Sequence, residues 1–325
     1  YGLWVADIRD GERFRTVFTD NAPSIIDATN KPLAFASCIP NGIVHETTRR
    51  LRLAGMPLID GLGPAISAIA HGFAWRSGQE RRFLPPPDAP DADVIEAWRQ
   101  RLTSGQPLDE ADGLDLLSAF AIPVIDHRIV ETVDEAVATA SAFGYPVVMK
   151  TAMAGIAHKS DVGGVALHLS DEAAVQTAWD DLTARLGPRC LIAPMAPGGV
   201  EMVLGLIRDA QFGPLVMIGT GGIFVEVLRD RLLAVPPFGV DVARGLIDRL
   251  QARSMLDGLR GRPAADIDSL ADALARFSVL AASLGDLIAE ADVNPILAGP
   301  DGVIAVDALV IADLPSDHQD KEEAP

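Results

Sequence analysis

Cysteine is almost missing from this chain of 325 residues: only Cys38 and Cys190 occur, far apart and each inside an apolar stretch. Two such residues build neither a disulfide framework nor a Cys-x-x-Cys pair, so they read as buried, reduced thiols of a cytoplasmic protein. Positive charge is scarce as well. Lys and Arg number 27 against 45 Asp and Glu, a formal net charge of −18. Wholesale binding of nucleic acid, or docking on an anionic membrane, finds no basic surface here. No apolar run comes near the roughly 18 residues of a membrane span, and no signal-peptide pattern opens the chain. The first residue is Tyr1 rather than Met, and "YGLWVADIRDGERF" reads as mid-domain sequence, as expected of a fragment or one part of a longer polypeptide.

The two common phosphate loops are also missing. There is no G-x-x-x-x-G-K-[ST], and "GTGGIF" (219–224) does not complete G-x-G-x-x-G. Neither loop can therefore explain nucleotide binding.

What is present is a 49% hydrophobic composition, enough for a buried core in two or three domains. "KPLAFASCIP" (31–40) and "MPLID" (56–60) read as strands, and "HETTRRLRLAG" (45–55) and "GPAISAIAHGFAWR" (63–76) as helices. That alternation predicts part of a parallel α/β sheet over residues 1–80, with too few strands for a whole doubly wound domain. "SGQERRFLPPPDAPDAD" (77–93) is a linker by composition, placed over 81–93.

A second α/β unit follows over 94–314. Helices are expected at "VIEAWRQRL" and "LDEADGLDLLSAF", the latter running into a strand at "AIPVID". "ETVDEAVATASAFG" (131–144) carries a capping-box spacing at Thr132 and Glu135 and a glycine stop at Gly144. Strands follow at "YPVVMK" and "VALHL", a helix at 170–187, and then a dense run: "RCLIAPM", "VEMVLGLIRD", "PLVMIGTGG", "IFVEVLRD" and "LLAVPP". A long helix covers about 264–285, "EADVNPILAGPDGVIAVDALV" (290–310) reads as a hairpin, and 315–325 as a disordered acidic tail.

The hairpin's numbering fixes a candidate site. Its turn is Gly299–Gly302, and Asn294 and Asp307 lie equally far from the turn's centre. Without a bulge they face each other with β-carbons roughly 5 Å apart, and Asp292 shares their face. Three oxygen donors there suit a hard cation such as Mg²⁺ with phosphate oxygens completing its shell; a polar, solvent-facing strip is the alternative.

"YPVVMK" leads an apolar strand into Lys150, and "GIAHKSDVGGV" (155–165) follows at once. A strand-end lysine can simply reach water. Here the next residues hold Gly155, His158 and Lys159, and Gly163 and Gly164 permit close backbone approach. A strand lysine with a glycine-bearing loop is one way to hold a polyphosphate. His158 reads either as a surface histidine or as a nucleophile toward a phosphoryl group, with Lys159 neutralising the oxygens and Asp161 orienting the ring. Glu201, after two glycines, could accept from a ribose or be an exposed strand residue; Glu226 in "GGIFVEVLRD" is a similar signal.

Together "GYPVVMK", "HKSDVGGV", "GVEMVLGLIRDAQFGPLVMIGTGGIFVEVLRD" and "ADVNPILAGPDGVIAVDALV" resemble the ATP-grasp portion of the NDP-forming acyl-CoA synthetases. That family includes ADP-forming acetate–CoA ligase and is related to succinyl-CoA synthetase. The resemblance runs from about residue 95 to 312 with the motifs in order. Residues 1–80 resemble the end of the flavodoxin-like CoA-ligase domain that precedes ATP-grasp in the longer members.

The resemblance implies an ATP-grasp fold of two α+β subdomains and a reaction of acid, CoA and ATP to acyl-CoA, ADP and phosphate through phosphohistidine. It implies Lys150 on the ATP phosphates, Glu201 on the ribose, Asn294 and Asp307 on Mg²⁺ with Asp292 in support, and His158 as a phosphoryl relay on the nucleotide side. It also implies a CoA-binding domain or subunit carrying the main phosphohistidine, because the Ser-His-Thr-Gly context of that residue does not occur here. The carboxylic-acid substrate is left open. Ala193 stands where relatives usually place a glutamine or acid at the nucleotide hinge, and Gly155 where they often have an aspartate. Two rivals stand beside this reading: a different ATP-grasp carboxylate ligase, and a catalytically incomplete fragment or regulatory subunit.

Overall fold

The structure, a computed structural model, describes residues 2–6, 20–21, 23–28, 33–37, 45–80, 83–153, 156, 159, 161–221, 230–258 and 263–313. Cys38, Gly155, His158, Glu226, the strand expected around 223–229 and the acidic tail lie outside the described residues. Two units form, residues 1–82 and 83–325. Among the described residues no helix is long and apolar enough to cross a membrane.

The first unit holds a parallel three-stranded sheet, β1 (Gly2–Ala6), β2 (Leu33–Ser37) and β3 (Leu58–Ile59), with helices α1 (His45–Leu53) and α2 (Leu62–Glu80). Its small core gathers Phe35, Leu51 and Met56.

The second unit opens with helices α3 (Ala92–Thr103) and α4 (Glu110–Ala119). The strand expected at 121–126 is reduced to a single parallel bridge, Val124 to Ala305. Pro123 has no N–H with which to extend a ladder, and its carbonyl instead accepts from the Ala305 amide at 2.8 Å.

A four-stranded sheet follows, in the order β4 (Arg128–Val130), β7 (Cys190–Pro194), β5 (Val147–Thr151), β6 (Val165–Leu169). Helices α5 (Val133–Phe143) and α6 (Glu172–Leu186) belong to this layer. The capping box of α5 is formed in both directions, Thr132 Oγ1 accepting from Glu135 N and the Glu135 carboxylate from Thr132 N, and Gly144 ends the helix at φ +83°. Strand alternation divides β5 between two cores. Val147 and Met149 pack with Ala136, Ala140, Trp179 and Leu182, whereas Val148 joins the larger core. Lys150 is in phase with Val148, so it leaves the sheet on the side away from α5 and α6.

The larger sheet runs β10 (Arg231–Ala234), β9 (Gly213–Thr220), β8 (Val200–Asp209), β11 (Ile288–Gly299), β12 (Gly302–Ala305), with β13 (Leu309–Ala312) also paired to β11. Helix α8 (Ile267–Leu284) buries Leu270, Leu274 and Phe277, and it packs beside α7 (Val240–Ile247). Each such side chain taken from water contributes about 1.5–3 kcal/mol.

The hairpin expected over 290–310 is interrupted. Pairing runs from Gly299–Gly302 to Ile296–Ala305, stops, and resumes in the same register at Asp292–Leu309. Asn294 and Asp307 thus fall opposite each other in the gap between two ladders, not within one. The Val306 amide still donates to Pro295 O at 3.1 Å, but Pro295 has no N–H to return, and this leaves the Val306 carbonyl for another partner.

Candidate functional site

That partner is Lys150. Its Nζ donates to Val306 O at 2.8 Å, to Asp307 Oδ2 at 3.2 Å and to Glu110 Oε1 at 2.6 Å. Lys159, from the loop after β5, reaches the same place, with Nζ 2.9 Å from Glu110 Oε2 and 3.9 Å from Asp307 Oδ1. Two ammonium groups and two carboxylates therefore form a charge-balanced quartet. Its members are unequally sheltered: side-chain exposure is 0% for Glu110, 9% for Lys150, 12% for Lys159 and 32% for Asp307. A group arriving from solvent meets Asp307 first.

Burial alone would lower the Lys150 pKa, but the charges of Glu110 and Asp307 outweigh it and hold the ammonium above its ordinary value. Among the described residues Glu110 Oε2 is met by the Lys159 ammonium, 2.9 Å away.

Glu110 is the residue that motif reading passed over. It opens α4, a helix fixed by a reciprocal capping box between Asp109 and Asp112. Arg189 Nη2 holds the free oxygen of Asp109 at 2.7 Å, and Arg101 Nη2 holds Asp112 at 2.7 Å. Gly113, three residues on and so on the same helical face, lies against Ala308: a Cβ there would come 2.9 Å from Ala308 O. The missing side chain lets α4 settle onto residues 306–308 and carries Glu110 to Asp307. A glycine inside a helical pattern was the available signal, since it costs about 1 kcal/mol relative to alanine and marks close approach.

The loop glycines shape the return path of the Lys159 loop. Gly163 has φ +62°, and the guanidinium of Arg185 takes the Val162 and Gly163 carbonyls at 3.0 Å each. Gly164 N donates to Lys159 O at 2.7 Å, while a Cβ on Gly164 would meet Thr151 Cγ2 at 2.7 Å. Asp161 is exposed.

Glu201, near the start of β8, is exposed and pairs with Leu297 of β11; its carbonyl accepts from Gly221 N at 2.8 Å. Asn294 is exposed and Asp292 half-buried on β11. Among the described residues no three His, Cys, Asp or Glu side chains cluster as a ready-made metal site. The donors on this strip are two carboxylates and an amide oxygen, a hard-oxygen set that fits Mg²⁺ when phosphate supplies further oxygens. Ala193 lies buried in β7, opposite Val148 of β5.

A family model described as "ATP-grasp domain" matches residues 100–311. The acetate–CoA ligase [ADP-forming] I subunit beta of Pyrococcus furiosus is 38% identical over 228 residues, covering 68% of this chain and 98% of that protein. The chain belongs to the ATP-grasp family of ADP-forming acyl-CoA synthetases.

The resemblance read from the four motifs holds, and so does the ATP-grasp fold. The acetate–CoA ligase [ADP-forming] I of Archaeoglobus fulgidus is 35% identical over 278 residues, 82% of this chain but 40% of that ligase. Less than half of that relative is therefore spanned here. The acetyl-coenzyme A synthetase 1 of Ca. Korarchaeum cryptofilum, solved with coenzyme A and Ca-AMPCP, superposes on the ATP-grasp part with a TM-score of 0.62 and 35% identity, covering 68% of this chain and all of that one. A second structure of that protein holds Mg-AMPPCP with a phosphohistidine segment pointing towards the nucleotide-binding site (TM-score 0.58, 36% identity, 67% of this chain and 98% of that one).

Proposed function

We propose that this chain is the nucleotide-binding part of an ATP-dependent acyl-CoA synthetase, converting acid, CoA and ATP to acyl-CoA, ADP and phosphate with a CoA-binding partner domain or subunit. The observation that carries the reading is the convergence of Lys150 and Lys159 on one buried carboxylate beside Asp307. Phosphoryl transfer asks chiefly for positioning and charge neutralisation, and two sheltered ammonium groups supply both.

In this reading Lys150 and Lys159 hold phosphate oxygens, and Gly163 and Gly164 shape the loop over them. Glu201 takes the ribose. Asp307 and Asn294, with Asp292 in support, hold Mg²⁺, which neutralises phosphate charge when bound. His158 is proposed as the phosphoryl acceptor on the nucleotide side: its imidazole nitrogen bonds to the γ-phosphorus as the bond to the bridging oxygen breaks, releasing ADP. The partner's histidine then takes the phosphoryl group from His158, freeing its imidazole, and passes it to a small carboxylic acid; the CoA thiol displaces phosphate from that acyl phosphate to give acyl-CoA. Residues 1–80 are proposed as the end of a flavodoxin-like CoA-ligase domain, 81–93 as the linker and 94–314 as the ATP-grasp domain. The buried free thiol of Cys190 supports a cytoplasmic setting.

Calorimetry of Mg·ATP with the full chain and with Asn294→Ala/Asp307→Ala tests the site. Saturable binding that the double variant abolishes is expected. A folded wild-type chain that binds no Mg·ATP overturns the reading for this chain.

A further inference from the structure

The quartet contains a carboxylate for which the proposed chemistry has no use. Asp307 is assigned to Mg²⁺ and the lysines to phosphate, but the Glu110 side chain is fully buried beneath them. We propose that Glu110 is a positioning residue: it locks Lys150 and Lys159 together as a two-cation clamp for the nucleotide's β- and γ-phosphates, while Asp307 is the carboxylate that gives way to them. The proposal rests on the nucleotide reading above.

Three observations support the division of labour. Glu110 uses one oxygen per lysine, at 2.6 Å and 2.9 Å, so its two oxygens set the spacing between the ammonium groups. Two cations brought together away from water repel strongly, and a fixed carboxylate between them offsets this. Glu110 also cannot move aside. Its helix is pinned by the Asp109–Asp112 capping box, by Arg189 and Arg101, and by the close packing of Gly113 on Ala308.

Asp307 differs on each count. It is about a third exposed, it stands 3.2 and 3.9 Å from the lysines, and it lies in the gap between the two ladders. Incoming phosphate oxygens can replace Asp307 at the lysines while Glu110 keeps both ammonium groups aimed. The arrangement is an exchange of one carboxylate for phosphate around a second carboxylate that stays.

Two measurements on the full chain test this. In the first, lysine acylation by acetic anhydride is followed residue by residue by mass spectrometry. Lys159 should react about tenfold faster in Glu110→Gln than in the wild type, the scale of one lost charge-assisted bond. Unchanged rates overturn the clamp. In the second, affinities for Mg·ATP and AMP are compared. Glu110→Gln should weaken Mg·ATP on the order of 10–100-fold while AMP, which lacks the β- and γ-phosphates, changes little.

An equal loss for both nucleotides would mean a merely structural role and overturns the proposal. Glu110→Asp keeps the charge but is one methylene short. It should recover only part of the Mg·ATP affinity, and it carries both measurements if the glutamine variant does not fold. A wild-type chain that fails to bind Mg·ATP overturns the nucleotide reading, and the acylation rates then decide by themselves whether Glu110 holds the lysines.

Discussion

Lys150 and Glu110 meet at 2.6 Å although 40 positions of chain separate them. One lies near the end of an apolar strand and the other begins a helix. A buried ammonium and a buried carboxylate are each costly alone, so the contact is a constraint as well as an attraction.

Replacing Lys150 by Met should leave Glu110 with Lys159 as its remaining ammonium partner. Breaking a buried pair on one side costs about 3 kcal/mol or more, so the urea midpoint should drop clearly at constant slope. Affinity for Mg·ATP should fall with it, by about tenfold or more for the lost charge-assisted bond. A variant with wild-type stability would show that Lys159 alone satisfies the site.

Asp307→Asn should have opposite effects on two titrations. Removing the exposed carboxylate strips competition from the lysines, so metal-free ATP should bind roughly two- to fivefold tighter, the scale of a partly exposed ion pair. The gain in ATP affinity on adding Mg²⁺ should shrink, because a metal ligand has gone. Titration calorimetry with and without Mg²⁺ separates the two effects.

Gly113→Ala offers a reversal of the usual sign. In an exposed helix interior the change stabilises by about 1 kcal/mol. Here the new Cβ would lie 2.9 Å from Ala308 O and 3.0 Å from Ala308 Cβ, so α4 must shift. A net loss of about 1–3 kcal/mol is expected, along with weaker Mg·ATP binding as Glu110 moves. Thermal melts and calorimetry on the single variant check both.

Cys190 supplies a pH prediction. Burial pushes its thiol up to about 11, whereas an unfolded cysteine ionises near pH 8.5. Between those values the unfolded chain sheds a proton that the folded chain keeps, so stability falls as pH rises through that window. Denaturation at pH 8 and pH 10 should differ in that direction, and a Cys190→Ala variant should flatten this part of the profile. At neutral pH the native Cys190 peptide should stay unlabelled by iodoacetamide.

Periodicity and capping were legible because they are local. The Thr132–Glu135 box and the Gly144 stop depend on residues within a few positions of one another. So did the register of the hairpin, which returned at Asp292–Leu309 where the numbering placed it. The family was legible too, through four ordered motifs.

The interruption at 306–308 was not legible. Residues 293–296 shift register with β8 while the hairpin keeps its own, and although Pro295 has no N–H to return to Val306, nothing local says what takes the carbonyl it leaves free. Nor was Glu110. Its neighbours read as an ordinary helix start, and its acidity suited the first turn whether or not anything was paired with it.

The sequence by itself determined most of the elements, the family and the presence of Lys150, Lys159 and Asp307, because each follows from short-range pattern or from motif. Only the tertiary structure decided that a glycine in α4 brings Glu110 between the two lysines. That contact joins residues from a helix, a strand, a loop and a broken hairpin. It exists because close packing at Ala308 and the cost of burying unpaired charge leave these four side chains one arrangement in which every charge is met.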